Sequence, residues 1–148
     1  MAGSLGALRE RLAEIEDLGR ITSLLSWDQQ AMMPVAGAGA RAEQHATVER
    51  LIGERLSDPE LGRLIDAASG EVETDDPLDD DAALLRVARR EHRKAVRVPA
   101  SLRAERARAG ALGHQAWERA READDFATFL PHLERNVELV RRYAECFP

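Results

Sequence analysis

Near the end of the chain, Phe126, Leu130, Leu133, Val137, Val140, Ala144 and Phe147 follow one another in alternating steps of four and three. Only an α-helix brings such positions to one side, because a helical turn takes 3.6 residues. The same spacing opens the chain. Leu5, Leu8, Leu12, Ile15, Leu18, Ile21 and Leu25 recur at threes and fours, with Glu10, Arg11, Glu14, Asp17 and Arg20 opposite them. This predicts a long first helix from about Ser4, its N-cap, to Ala31, with one buried face.

Between these two ends the punctuation predicts four more helices. Met32, Met33 and Pro34 close the first, since proline disfavours helical geometry in the residue before it. Gly37 and Gly39 are expected to free the backbone to turn. A second helix, about Gly39 to Leu56, places His45, Val48, Ile52 and Leu56 on one face. Ser57-Asp58-Pro59-Glu60 reads as the start of a third. Leu61, Leu64, Ile65 and Ala68 form its inner side and Gly70 ends it. From Glu71 to Asp81 the chain is acidic, carries no basic residue and includes Pro77. This reads as a solvated loop whose last acids, Asp79, Asp80 and Asp81, serve the N-terminus of a fourth helix. Arg86, Arg90, Arg93 and Arg97 then share a face, a solvated basic stripe with no interleaved aromatics to stack bases. A fifth helix, about Pro99 to Ala123, turns Leu102, Ala109, Leu112, Ala116 and Ala120 inward, with Trp117 near its end. Asp124-Asp125 caps the sixth, where Pro131 predicts an irregular start or a kink. The fold class is therefore all-α: six helices in an antiparallel bundle-like array, one domain over residues 1–148, no sheet.

Several function classes fall away. The net charge of −6 argues against nucleic acid as the main partner. No apolar run reaches the roughly 20 residues of a membrane span, and no signal peptide is evident, so a cytoplasmic protein is expected. The single cysteine, Cys146, cannot form an internal disulfide. Four histidines, His45, His92, His114 and His132, are scattered one to a helix, with no i, i+4 pair, no HExxH and no Glu-x-x-His. His45 with Glu49 and His114 with Glu118 read as ordinary helical neighbours. No metal site, cofactor or catalytic residue is expected in this chain.

The stretch Leu24 to Gln44, LLSWDQQAMMPVAGAGARAEQ, stands apart, because apolar, ionisable and turn-forming residues crowd together there. Trp27 and Asp28 sit where the first helix runs out, and a carboxylate beside an aromatic at a helix end usually caps or pairs structurally. The stretch resembles the N-terminal signature of the thermostable metallocarboxypeptidases, the carboxypeptidase Taq family, which typically reads close to SWDQ-x-x-MMPPGG-x-x-ARAEQ. Pro34-Val35 stands where the family usually has two prolines. Weaker similarity continues through RLSDPELGRLI, RREHRKAVRVPASL and AWERAREADDFATFLPHLERNVELVRRYAE.

The resemblance implies an N-terminal region of a longer zinc-dependent enzyme that removes C-terminal residues from peptides. Its HExxH motif, its zinc or other divalent ion and its catalytic glutamate would all lie in the C-terminal catalytic region, the implied partner of this chain. Here the helices would form a wall or cover of the substrate cleft, with Trp27, Asp28 and Gln29 as candidate cleft residues, and the chain by itself would be inactive. The alternative, from a different class, is a free-standing helical interaction module that pairs with itself or another protein. A stand-alone bundle should cover its apolar stripes, whereas a piece of a larger fold should expose one.

Overall fold

The computed structural model describes residues 3–74, 76 and 78–148; Asp75 and Pro77, two positions of the acidic run, lie outside the described residues. Six helices follow one another: α1 Ser4–Ala31, α2 Ala38–Ser57, α3 Pro59–Ser69, α4 Asp80–Arg97, α5 Ala100–Glu122 and α6 Phe126–Glu145. A single 3-10 turn, Val35–Gly37, links α1 to α2, and no strand occurs among the described residues. The all-α expectation holds, with helix ends within a residue or two of those read from the sequence. No helix among the described residues is long and apolar enough to cross a membrane.

Local chemistry explains most of the boundaries. Asp58 accepts from the Glu60 amide at the start of α3, with Pro59 in the first turn. Asp79 accepts from the amides of Asp81 and Ala82 at the start of α4. Asp125 takes the Thr128 amide at the start of α6, while Asp124 turns the corner at a left-handed φ of 50°. Through Pro131, α6 runs on as one continuous helical segment.

Two expectations about ends need correction. Ser4 does not cap α1: Gly3 holds the cap position, and the Ser4 and Leu5 amides instead donate to the carboxylate of Glu71 at 2.6 and 3.0 Å. Those bonds hold the Glu71 carboxyl below the usual carboxylate range. The first residue of the acidic run is thus a cap borrowed from 67 residues away. Nor do Gly37 and Gly39 supply a special backbone, since no described glycine has positive φ. Gly37 matters by size instead, because a Cβ there would sit 3.1 Å from Met33 Cγ.

The interior has two apolar centres. Leu8 of α1, Leu61, Ile65 and Ala68 of α3, and Leu85 and Ala88 of α4 make the first, with Leu5, Leu12, Ile15, Leu56 and Leu64 packed around it. Val98, Leu102 and Leu139 make the second, with Tyr143, Cys146 and Phe147 against them. Between these centres α2 lies along α5, and what the two helices bury is mostly small: Ala38, Ala42, Ala46 and Gly53 on α2, Ala104, Gly113, Ala116 and Ala120 on α5. Gly53 marks the tightest approach. A Cβ built there would meet Arg103 Cδ at 2.7 Å and Ala100 Cβ at 3.3 Å. Such an interface gains from dispersion at close range more than from the area each methyl removes from water.

Large apolar side chains are correspondingly pushed outward. On the face of α1 expected to be buried, Leu8 is fully buried, Leu5, Leu12, Ile15, Leu18 and Leu25 are partly so, and Ile21 is exposed; Leu24, off that face, is exposed as well. On α6 the regular stripe, Phe126, Leu130, Leu133, Val137 and Val140, faces solvent, Phe126 at 61% and Val140 at 53% exposure. The side of α6 that lies inward is a second three-four series, Phe129, His132, Asn136, Leu139, Tyr143 and Cys146. Asn136 explains how a polar residue is tolerated there, since its amide donates to the carbonyls of Ala109 and His132.

His45 is the one polar side chain buried among the described residues, at 7% exposure. Burial, then the charge of Arg41, hold its pKa below the ordinary histidine value. The folded protein therefore keeps a neutral ring where the unfolded chain takes up a proton. The resulting stability is present above the unfolded value of 6.5 and is lost as the pH falls from there through the folded value. Thermal unfolding between about pH 7.5 and 5.5 should show this loss, and His45→Gln should flatten it.

Candidate functional site

The stretch from Leu24 to Gln44 folds into the corner where α1 ends and α2 begins, and its polar residues are latches. The Asp28 carbonyl accepts from the amides of Met32 and Met33, closing α1. The Asp28 carboxylate accepts from an Arg41 Nη at 2.5 Å, while the other Nη of Arg41 donates to the Leu25 carbonyl at 2.7 Å and its Nε to Gln44 at 2.9 Å. One guanidinium, 15% exposed, thus uses its whole fork to hold the end of α1 against the start of α2. Gln29 donates from Nε2 to the Ala111 carbonyl of α5 at 3.2 Å. Glu43 accepts a two-point clamp from Arg108 of α5, at 2.5 and 2.7 Å, which holds its carboxyl below the usual range. Gln115 of α5 donates to the Val35 carbonyl in the 3-10 turn.

The three cleft candidates therefore separate. Asp28 and Gln29 are engaged by Arg41 and α5. Trp27 is 59% exposed, and Leu24, Met32 and Val35 on the same corner are exposed as well. The corner presents these apolar side chains outward, while Arg41 and Asp28 are partly buried against each other. Glu43 and Arg108 also belong to this corner but were not singled out in the sequence. Glu43 stands inside ARAEQ, yet nothing local announces a partner 65 residues away.

The histidines are likewise separate. His92 Nδ1 lies 2.7 Å from the Leu56 carbonyl, so that nitrogen carries the proton and ties α4 to the end of α2. His114 packs edge-on against Trp117, with Nδ1 3.6 Å from Glu118 Oε2. Among the described residues no three His, Cys, Asp or Glu side chains come together as metal ligands, so the residues described here do not fit a zinc site. On the basic face, Arg90 pairs with Glu91.

Comparison with known proteins gives a consistent result. The family model for the carboxypeptidase Taq (M32) metallopeptidases matches residues 7–147. Thermostable carboxypeptidase 1 of Thermus thermophilus is 36% identical over 138 residues, 93% of this chain but 27% of that protein. The crystal structure of the M32 carboxypeptidase from Deinococcus radiodurans R1 superposes with a TM-score of 0.68 at 35% identity, over 98% of this chain and 29% of its own. The structure of the Pyrococcus furiosus carboxypeptidase gives a TM-score of 0.70 at 28% identity, again over 29% of its length. The chain thus spans between a quarter and a third of the length of these relatives.

Proposed function

Because the chain belongs to the carboxypeptidase Taq (M32) metallopeptidase family, we propose that its six helices are the N-terminal wall or cover of the substrate cleft in a metallocarboxypeptidase that removes C-terminal residues from peptides. One observation carries this reading: the apolar stripe of α6 from Phe126 to Val140 is turned outward, on the helix next to an α2–α5 interface built largely of alanine and glycine. A surface of that kind is what a larger fold covers. The zinc or other divalent ion, and the groups that use it, belong in this reading to the C-terminal catalytic region of the family. Of the three cleft candidates, Trp27 has the exposed ring with which to touch a peptide. Asp28 and Gln29 are positioning residues that fix the corner on which Trp27 stands. The setting we assign is the cytoplasm, supported by the free thiol of Cys146.

The same stripe supports a second reading, a free-standing module that pairs through α6, since a four-three seam on an exposed helix suits another helix. Reading the gene downstream of the Pro148 codon separates the two. The expected result is an open frame running into an HExxH helix, together with no zinc-dependent hydrolysis by the 148 residues alone. A stop codon at that point, or chelator-sensitive carboxypeptidase activity of the purified chain, would overturn the first reading.

A further inference from the structure

A cleft of about 400 Å³ opens where α1, α2, α5 and α6 converge, lined by Glu49, Arg103, Arg106, Leu139, Val140 and Tyr143 among others. We propose that it is a binding site for a small monocarboxylate bearing a short apolar group.

The arginines differ in exposure and in partners. Five are partly buried: Arg11, Arg41, Arg103, Arg106 and Arg108. Three have a carboxylate at hydrogen-bond distance, Arg11 on Asp58, Arg41 on Asp28 and Arg108 on Glu43. The other two are those of the cleft. Arg103 stands 3.6 Å from Glu49, beyond a normal N–H···O bond, and its buried Nε has no partner. Arg106 lies over the ring of Tyr143, 4.3 Å from its centroid, and makes no ion pair among the described residues. Stacking holds a guanidinium by its face and leaves its in-plane donors, the ones that grip a carboxylate, unspent.

Charge and size narrow the ligand. Two guanidiniums and one carboxylate leave the cleft one positive charge, which a monoanion neutralises and a phosphate dianion overshoots beside Glu49. Leu139, Val140 and Ala107 give one wall an apolar surface. A lone acidic side chain from another protein would leave most of 400 Å³ unfilled, whereas a ligand of about amino-acid size has room. The site uses none of the corner residues described above and shares only Val140 with the α6 stripe on which the peptidase reading rests.

The test is titration of the 148-residue chain with N-acetyl-leucine, followed by amide chemical shifts, with N-acetyl-leucinamide and inorganic phosphate as the comparison probes. Saturable binding of the carboxylate is expected, centred on α5 and α6. Binding of the amide and of phosphate should be at least about tenfold weaker. Arg103→Gln and Arg106→Gln should each weaken carboxylate binding by a similar factor, with melting curves recorded to establish that both are folded. Arg142→Gln, outside the cleft, should bind as the parent does. Equal binding of acid and amide, phosphate binding as tight as that of the acid, or undiminished binding by both folded cleft variants would each overturn the proposal.

Discussion

Replacing Leu8 by alanine should destabilise the fold by about 2–5 kcal/mol, the range for deleting a large aliphatic side chain from a packed interior. Leu8 is 0% exposed and is the residue of α1 around which Leu61, Ile65, Ala68, Leu85 and Ala88 close. Its loss leaves a cavity shared by three helices, whose backbones cannot all collapse on it. At roughly 2–4 °C per kcal/mol for a chain of this size, the melting temperature should fall clearly. Leu24→Ala on the same helix, at an exposed site, is the control and should change stability by less than about 0.5 kcal/mol. A similar loss from both variants would mean that α1 does not hold the observed face inward.

Arg41→Ala is expected to cost about 1–3 kcal/mol, because hydrogen bonds to charged groups are the stronger ones and Asp28 would be left half-buried without its partner. The Asp28 side chain keeps about a third of its exposure, which places the loss below that of a fully buried pair. The change should also loosen the corner itself. Protease cleavage between α1 and α2 should rise by more than the global destabilisation accounts for. Trp27→Ala, one residue from Asp28, should leave stability within about 0.5 kcal/mol, since its ring already faces water. A large loss from Trp27→Ala with none from Arg41→Ala would reverse the roles assigned to the two.

How much of this was legible in the sequence depended on distance along the chain. Caps and breaks are written within four residues of where they act, so Asp58-Pro59, Asp79 and Asp125 announced α3, α4 and α6. Which side of a helix lies inward is written only relative to its neighbours. On α6 two three-four series interleave, and the more apolar one looked like the core-facing choice. The other is inward, and its polar member is tolerated there because Asn136 finds carbonyls on α5 and α6 itself, while the cleaner series is left exposed. Long-range latches were invisible for the same reason. Glu43 with Arg108 and Gln29 with Ala111 join positions 65 and 82 apart. The family signature was recognisable as a pattern, but which of Trp27, Asp28 and Gln29 are structural was not, because the partners that engage Asp28 and Gln29, Arg41 and the Ala111 carbonyl, stand on other helices.

The borrowed cap of α1 has a consequence for how this protein reports on itself. The amides of Ser4 and Leu5 are held by a carboxylate that follows α3, so they exchange slowly with solvent only while the end of α3 is docked. Their exchange is a local probe, at the start of the chain, of an event 67 residues away. During synthesis the same dependence orders time: the first turn of the longest helix has no tether until residue 71 has left the ribosome.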